Sequence, residues 1–170
     1  MDLQKLFEIQ EGLDYHITKE HPVQEGEDRL AKKILALQVE LGELANELPE
    51  VFKFWSNKKN NRKKALEEFC DALHFLLSIG LDIAEPEMIN LKRWNLIKAD
   101  TITEQFLWLM SDVTELYNSL CNDSFSKFNY EFLLLRFIHL GEMLGFTWEQ
   151  IEQMYMEKNR INHQRQLNHY

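Results

Sequence analysis

Helix-breaking residues are rare in this chain, and their placement limits its fold more than any other feature. The 170 residues include three prolines and six glycines. Pro22, Pro49 and Pro86 each lie where a helical pattern has just stopped or is about to start. Between them, apolar residues recur every three or four positions, as on one face of a helix. The pattern predicts an all-α fold with helices over 2–19, 26–48, 50–56, 61–83, 102–120, 129–144 and 148–164.

The length and composition indicate one domain, residues 1–170. With 45% hydrophobic residues the chain can bury a full core, and it has no Gly/Pro/Ser-rich linker. A net charge of −9 disfavours binding to polymeric nucleic acid. The apolar runs fall short of the roughly 20 residues that span a bilayer, and the opening MDLQKLFEIQEG lacks a signal-peptide layout. We therefore expect a cytoplasmic protein with no membrane partner. Cys70 and Cys121 lack CxxC spacing and are predicted to be small buried residues.

Local signals mark several helix ends and leave two segments with open interpretations. Thr101 with Glu104, and Thr147 with Gln150, have capping-box spacing, and Gly145 is predicted to end the helix before it. The apolar segment 129–144 fits either the core or a subunit contact. The basic segment 56–64 fits either a solvated loop or a cationic rim on an anion site.

Three acids follow one edge of the second long predicted helix. Its apolar residues Ile34, Leu37, Leu41, Leu44 and Leu48 are spaced 3, 4, 3 and 4 apart and form the buried stripe. Glu40, Glu43 and Glu47 form a second stripe about a quarter-turn away, with no Lys or Arg interleaved. Like charges at these spacings repel each other. The stripe fits either a solvated face or a metal site.

A narrow polar strip on an otherwise apolar helix favours the metal site. Phe69 to Leu81 is apolar around most of the helix, except for Asp71, His74 and Ser78, and Glu68 lies one turn before them. No Lys or Arg lies between 65 and 91 to pair with these acids. A buried carboxylate must be neutralised, paired or bound to metal. Facing Glu40/Glu43 against Glu68/Asp71 around Mg²⁺ or Mn²⁺ satisfies both helices, because hard oxygen ligands select these ions.

The first helix places an amide in an apolar seam. Leu3, Leu6, Gln10, Leu13 and Ile17 share one face, with Asp14 alongside. A buried Gln10 fits either a side chain bonded to neighbouring backbone or a reader of a base edge, since it carries a donor and an acceptor side by side.

Other candidate residues have both structural and functional interpretations. Trp55 fits either the core or the wall of a base pocket, with Lys53 contacting phosphate or a nearby acid. His74 fits either a core residue or part of the site. On the last helix Lys158, Asn162 and Arg165 share a face that is either solvated or able to bind phosphate. Asp112 and Glu115 repeat the acidic spacing without a second acidic pair and are read as solvated or interface residues.

Four sequence segments together resemble the dimeric all-α dUTPases of the MazG-like pyrophosphohydrolase superfamily. These are LQVELGELANE, FKFW, EEFCDALHFLLS and the C-terminal YMEKNRINHQRQLNHY. The earlier segment IQEGLDYHI adds to the resemblance. Residues 84–147 carry no matching motif. The resemblance implies a helical bundle with a four-helix core around the acidic metal site, additional helices and a homodimer. The residues after about 164, with few apolar anchors, are expected to form a mobile tail that orders over the triphosphate.

The resemblance also implies roles for individual residues. Two or three Mg²⁺ ions, replaceable by Mn²⁺, would be held by Glu40, Glu43, Glu68 and Asp71. Glu43 is preferred as the base that takes a proton from water, with Glu40 as the competitor. The base-binding set would be Gln10, Asp14, Trp55 and His74, where relatives commonly carry Asn at the position of Asp14. The phosphate-binding set would be Lys158, Asn162, Arg165, Lys53 and Tyr170.

The implied activity is hydrolysis of dUTP, and also of dUDP, to dUMP, with pyrophosphate leaving from dUTP. A pyrophosphohydrolase with another base preference, such as dCTP, remains an alternative. So does a helical interaction module without catalysis. A di-iron bundle would need paired ExxH motifs, and this chain has only the Asp71/His74 spacing.

Overall fold

In the computed structural model, the structure describes residues 2–168, and every regular element in that range is helical. The α-helices are α1 (Leu3–Glu20), α2 (Arg29–Asn46), α3 (Pro49–Phe52), α4 (Arg62–Ile83), α5 (Ile102–Cys121), α6 (Lys127–Met143) and α7 (Trp148–Leu167). Two 3₁₀ turns, Pro86–Met88 and Leu91–Arg93, connect α4 to α5. The all-α prediction is confirmed. Within the described residues, no helix has the length and apolar character needed to cross a bilayer.

Helix α4 is the central element of the bundle. It packs against α1, α2, α7 and α6, while α5 packs against α6 and α2. Its side chains are buried around most of the circumference, including Phe69, Leu73, Leu76 and Leu77. This burial explains why its sequence is apolar on nearly every face. The predicted arrangement is confirmed: α1, α2, α4 and α7 form a four-helix core around the acidic residues, and α5 and α6 enlarge it.

A close approach between α4 and α6 depends on a glycine. The hydroxyl of Tyr130 on α6 donates to the carbonyl of Leu76 at 2.9 Å. A Cβ at Gly80 would lie 2.2 Å from that same hydroxyl oxygen, so a side chain at position 80 would push α6 away. Leu133 and Phe137 of α6 are also buried in the core. The apolar segment 129–144 therefore belongs to the core of the subunit.

The helix-end predictions are confirmed by cap geometry. Thr101 and Thr147 both form complete capping boxes with the residues three positions later. Gly145 has φ +73°, the left-handed conformation that ends a helix at low steric cost. A third capping box, Ser126 with Asn129, begins α6 two residues earlier than the pattern predicted.

Two local predictions are wrong. The helix predicted over 50–56 ends at Phe52, so Trp55 lies beyond it in a turn. Cys70 is buried as expected, but Cys121 is exposed because it is the last residue of α5, where the helix leaves the core.

The basic segment 56–64 has the properties of a solvated loop. Lys59 forms an ion pair with Glu50 at 2.6 Å on the surface. Arg62 donates to the carbonyl of Leu144 at 2.8 Å, which ties the start of α4 to the turn between α6 and α7. None of the described residues in this segment lines the cavity that lies between α1, α2, α4 and α7.

Candidate active site

A cavity of about 790 Å³ lies between α1, α2, α4 and α7. Its volume is in the range of small-molecule sites. Most of the site residues predicted from the sequence line it: Gln10, Asp14, Glu40, Glu43, Glu68, Asp71, His74, Lys158, Asn162 and Arg165. The four helices thus bring together residues separated by most of the chain.

The acidic stripes of α2 and α4 converge at the cavity. Glu40, Glu68 and Asp71 each offer a carboxylate oxygen, and these oxygens all lie within 4.8 Å of one another. Each of the three side chains is partly buried. Glu43 also lines the cavity but is more exposed. Three clustered carboxylate oxygens are a donor set suited to a hard divalent cation.

Burial and mutual repulsion raise the pKa values of these acids. Burial, reinforced by the charges of Asp71, Glu43 and Glu68, raises the pKa of Glu40 to about 7. Burial also raises the pKa of Glu68 and of Asp71. The protein therefore holds carboxylates together at a cost that protons or a bound cation relieve.

Lys158 of α7 reaches the same cluster. Its Nζ forms an ion pair with Asp71 Oδ2, and both side chains are mostly buried. The sequence around Asp71 does not indicate this pairing, because no Lys or Arg lies between 65 and 91 and Lys158 comes from α7. Asn162 and Arg165 follow on the same face of α7, and Arg165 Nη1 donates to Asn162 Oδ1 at 3.2 Å. A row of polar and cationic groups thus leads away from the acids.

Gln10 is the centre of a buried hydrogen-bond network and is only 2% exposed. Its Oε1 accepts from the Tyr155 hydroxyl at 2.8 Å and from His74 Nδ1 at 2.8 Å. Its Nε2 donates to Asp14 Oδ1 at 2.7 Å. All three partners are side chains, from α1, α4 and α7. The interpretation of Gln10 as an amide bonded to neighbouring backbone is therefore not what the structure shows.

Asp14 extends this network along the cavity. Its Oδ2 accepts from Ser78 Oγ at 2.5 Å and lies 3.5 Å from Lys33 Nζ. Lys33 is also paired with Asp82 at 2.6 Å. Ser78 belongs to the polar strip that the sequence of α4 shows. The sequence does not indicate a site role for Lys33, because its partners lie on two other helices, α1 and α4.

His74 is a neutral core residue at the edge of the cavity. Burial lowers its pKa to about 3, so the imidazole carries no charge at physiological pH. Its ring stacks on the Tyr155 ring with 4.0 Å between centroids. His74 is therefore buried and hydrogen-bonded through Nδ1, and it also lines the cavity, while its role in the site remains a prediction.

Two of the predicted site residues do not line the cavity, and a third lies outside the described residues. Trp55 is 67% exposed and packs edge-on against Phe54. Lys53 Nζ donates to Asn46 Oδ1 at 3.1 Å. Neither Trp55 nor Lys53 lines the cavity. Tyr170 lies outside the described residues. The site roles of these three remain predictions.

Comparison with protein families shows which family this chain belongs to. A family model described as dUTPase matches residues 2–170. The chain belongs to the dUTPase family. The match includes residues 84–147, which carry no recognisable motif but supply α5 and α6. No curated protein matched the chain. In this dUTPase-family chain, the acidic cluster and the Gln10 network lie in one cavity, which makes that cavity the candidate active site.

Proposed function

We propose that this protein hydrolyses dUTP, and also dUDP, through attack of water at the α-phosphorus, so that dUTP yields dUMP and pyrophosphate. One observation carries the proposal: a single cavity places the acidic cluster of Glu40, Glu68 and Asp71 beside the Gln10 network, in a chain of the dUTPase family. The first feature suits a metal-bound phosphate chain, and the second suits a nucleobase.

The acids would hold two or three Mg²⁺ ions, with Mn²⁺ as a substitute. Glu40, Glu68 and Asp71 provide clustered oxygens, and Glu43 lines the same cavity. Burial, together with the charges of the neighbouring carboxylates, raises the pKa of Glu40, and bound cations would offset both effects. Bound Mg²⁺ would neutralise negative charge on the phosphates.

Glu43 would take the proton of the attacking water. The water oxygen bonds to the α-phosphorus, the bond from phosphorus to the bridging oxygen breaks, and pyrophosphate leaves. Glu43 is suited to this role because its side chain lines the cavity and is more exposed than the other acids. Glu40 is the competing base, and its raised pKa gives it a stronger affinity for a proton.

Residues of α7 would bind the phosphates that leave. Lys158, Asn162 and Arg165 share a face that begins at the acids and extends along the cavity. Charge-assisted contacts of this kind stabilise the departing group. Lys53 and Tyr170 are proposed to belong to this set. Lys53 would have to leave Asn46 to reach the cavity, and Tyr170 lies outside the described residues.

The base would bind near Gln10, Asp14 and His74. All three side chains line the cavity, and His74 lies one turn after Asp71 on α4. Trp55 is proposed to stack on the base, although it lies away from the cavity in the single chain. A site that reads polar groups by hydrogen bonds can discriminate strongly between bases, because a mismatched base leaves buried groups unpaired.

Parallel turnover assays test the activity and its alternatives. Purified protein with Mg²⁺ should hydrolyse dUTP faster than dCTP or dTTP, releasing pyrophosphate, and EDTA should abolish turnover. A preference for dCTP would instead identify a pyrophosphohydrolase of different base specificity. Absence of turnover on every nucleotide, with Asp71→Asn leaving divalent-ion binding unchanged, would identify a helical interaction module.

We also propose a homodimer, as the resemblance to dimeric dUTPases implies. Apolar side chains remain exposed on α2 and α5, two helices that pack against each other, including Leu35, Val39 and Leu107. Sedimentation analysis should give twice the 20.4 kDa mass of one chain. A monomer at micromolar concentration would contradict this part of the proposal.

A further inference from the structure

We infer that Tyr155 is a positioning residue: its hydroxyl fixes the Gln10 amide in one orientation, so that Gln10 can offer a nucleobase only a hydrogen-bond donor. The inference rests on the proposed function, because it assumes that Gln10 faces the base. Tyr155 itself does not line the cavity, and it contacts Gln10 from the interior of the protein.

The hydrogen-bonding capacity of Gln10 is almost fully used. A carboxamide has two N–H donors and an oxygen that accepts two bonds. Both acceptor positions are occupied, one by the Tyr155 hydroxyl and one by His74 Nδ1. One N–H is used by Asp14. What remains for a ligand is a single N–H donor.

The opposite orientation of the amide is disfavoured at both ends. If the amide turned by 180°, its oxygen would face the carboxylate of Asp14, which accepts hydrogen bonds and repels another acceptor. The N–H groups would face Tyr155, whose hydroxyl proton would lose its acceptor. Tyr155 is fully buried and Gln10 is 2% exposed, so a partner lost on the Tyr155 side of the amide is not readily replaced by water.

Tyr155 is itself held firmly. Its ring is stacked on His74 with an angle of 18° between the planes, and His74 donates to the same oxygen of Gln10. The three side chains come from α1, α4 and α7. The orientation of the amide is therefore set by the packing of three helices, and Tyr155 lies one turn before Lys158 on the helix proposed to bind phosphate.

An N–H group of Gln10 that is fixed in one direction distinguishes a carbonyl group from an amino group on the base. Uracil presents carbonyl oxygens on either side of a ring N–H, whereas cytosine carries an amino group in place of one carbonyl. The remaining N–H of Gln10 matches a carbonyl and opposes an amino group at the same position. A freely rotating amide could present its oxygen to the amino group and would then bind cytosine as well. The Tyr155 hydroxyl thus contributes to selection of uracil without contacting it.

The test removes the hydroxyl and leaves the ring. In Tyr155→Phe the stacking on His74 is retained, so the dUTP-to-dCTP ratio of kcat/KM should fall about fivefold, the effect of one hydrogen bond. The change should appear mainly in KM. Tyr130→Phe is the matched control, since it removes another buried hydroxyl whose partner is the backbone of Leu76, outside the cavity. Its ratio should equal that of the wild type.

An independent readout separates this inference from the proposed function. In ¹⁵N-labelled protein, the Gln10 side-chain amide, assigned with Gln10→Leu, should exchange its protons slowly in the wild type and Tyr130→Phe, and at least several-fold faster in Tyr155→Phe. An unchanged substrate ratio, or unchanged exchange, in Tyr155→Phe overturns the role of Tyr155 while dUTP hydrolysis stands. Absence of dUTP hydrolysis in the wild type overturns the proposed function. Faster exchange in Tyr155→Phe would then still show that Tyr155 fixes the Gln10 amide.

Discussion

Lys158 and Asp71 form an ion pair inside the candidate active site, with side chains only 17% and 18% exposed. Asp71 is also one of the three acids that offer clustered oxygens to a cation. The metal ion proposed for this site would therefore compete with the ammonium group of Lys158 for one carboxylate. Release of Asp71 would leave Lys158 available for the phosphates of the substrate, on the same face of α7 as Asn162.

Removal of this competitor should strengthen metal binding. We predict that Lys158→Gln binds Mn²⁺ several-fold more tightly than the wild type without nucleotide, because the variant loses a nearby positive charge and a rival for Asp71. Electron paramagnetic resonance titration measures free Mn²⁺ directly. Lys98→Gln is the control, since Lys98 pairs with Glu142 on the surface. Equal or weaker binding in Lys158→Gln would show that the ion pair does not oppose the metal.

Substitution of Glu40 should raise stability and lower activity. Glu40→Gln removes a carboxylate that repels Asp71, Glu43 and Glu68, so the metal-free variant should have a higher melting temperature at pH 8 than the wild type. Its dUTP hydrolysis with Mg²⁺ should fall by about 100-fold or more, as for loss of a metal ligand. Glu115→Gln, on the exposed face of α5, should change neither property. A destabilised Glu40→Gln would contradict the repulsion.

The acidic cluster also predicts how stability depends on pH. Glu40 has an ordinary pKa of 4.5 and a folded-state pKa of about 7, so the folded chain binds more protons than the unfolded chain between these values. The free energy of unfolding in EDTA should therefore decrease as pH rises through this window. The raised pKa values of Glu68 and Asp71 act in the same direction.

Urea unfolding between pH 5 and 8 measures this dependence. The decrease should be smaller in Glu40→Gln. Stabilisation by added Mg²⁺ should be greater at pH 8 than at pH 6, because the metal competes with protons for the same oxygens. Stability that rises through this window in the wild type and not in Glu40→Gln would rule out a raised pKa for Glu40.

Substitution of Gly80 should disrupt the core between α4 and α6. A methyl group there would lie 2.2 Å from the Tyr130 hydroxyl oxygen and 2.9 Å from the Phe7 ring. Gly80→Ala should lower the free energy of unfolding by about 2 kcal/mol, since overpacking exceeds the gain in helix propensity. Gly12→Ala on α1, with no atom within 4 Å of the new methyl group, should instead stabilise by about 0.5 kcal/mol. Denaturant titration compares the two.

Much of the site was predictable because helical periodicity places side chains on faces. The buried stripe of α2 from Ile34 to Leu44 and the polar strip of Asp71, His74 and Ser78 both follow from residue spacing. The extent of the short helix before Trp55 was less predictable. A helix of four residues has too few turns to show a period, and its end at Phe52 leaves Trp55 on the surface.

Residue spacing alone determined which helices form, which faces are apolar and which helices carry the acids, because each of these properties depends on neighbours within four positions in the chain. Only the tertiary structure decided that Lys158 neutralises Asp71 and that Tyr155 holds Gln10. Both contacts join helices distant in sequence, and a periodic pattern gives the direction of a side chain around its own helix but not the group it meets on another.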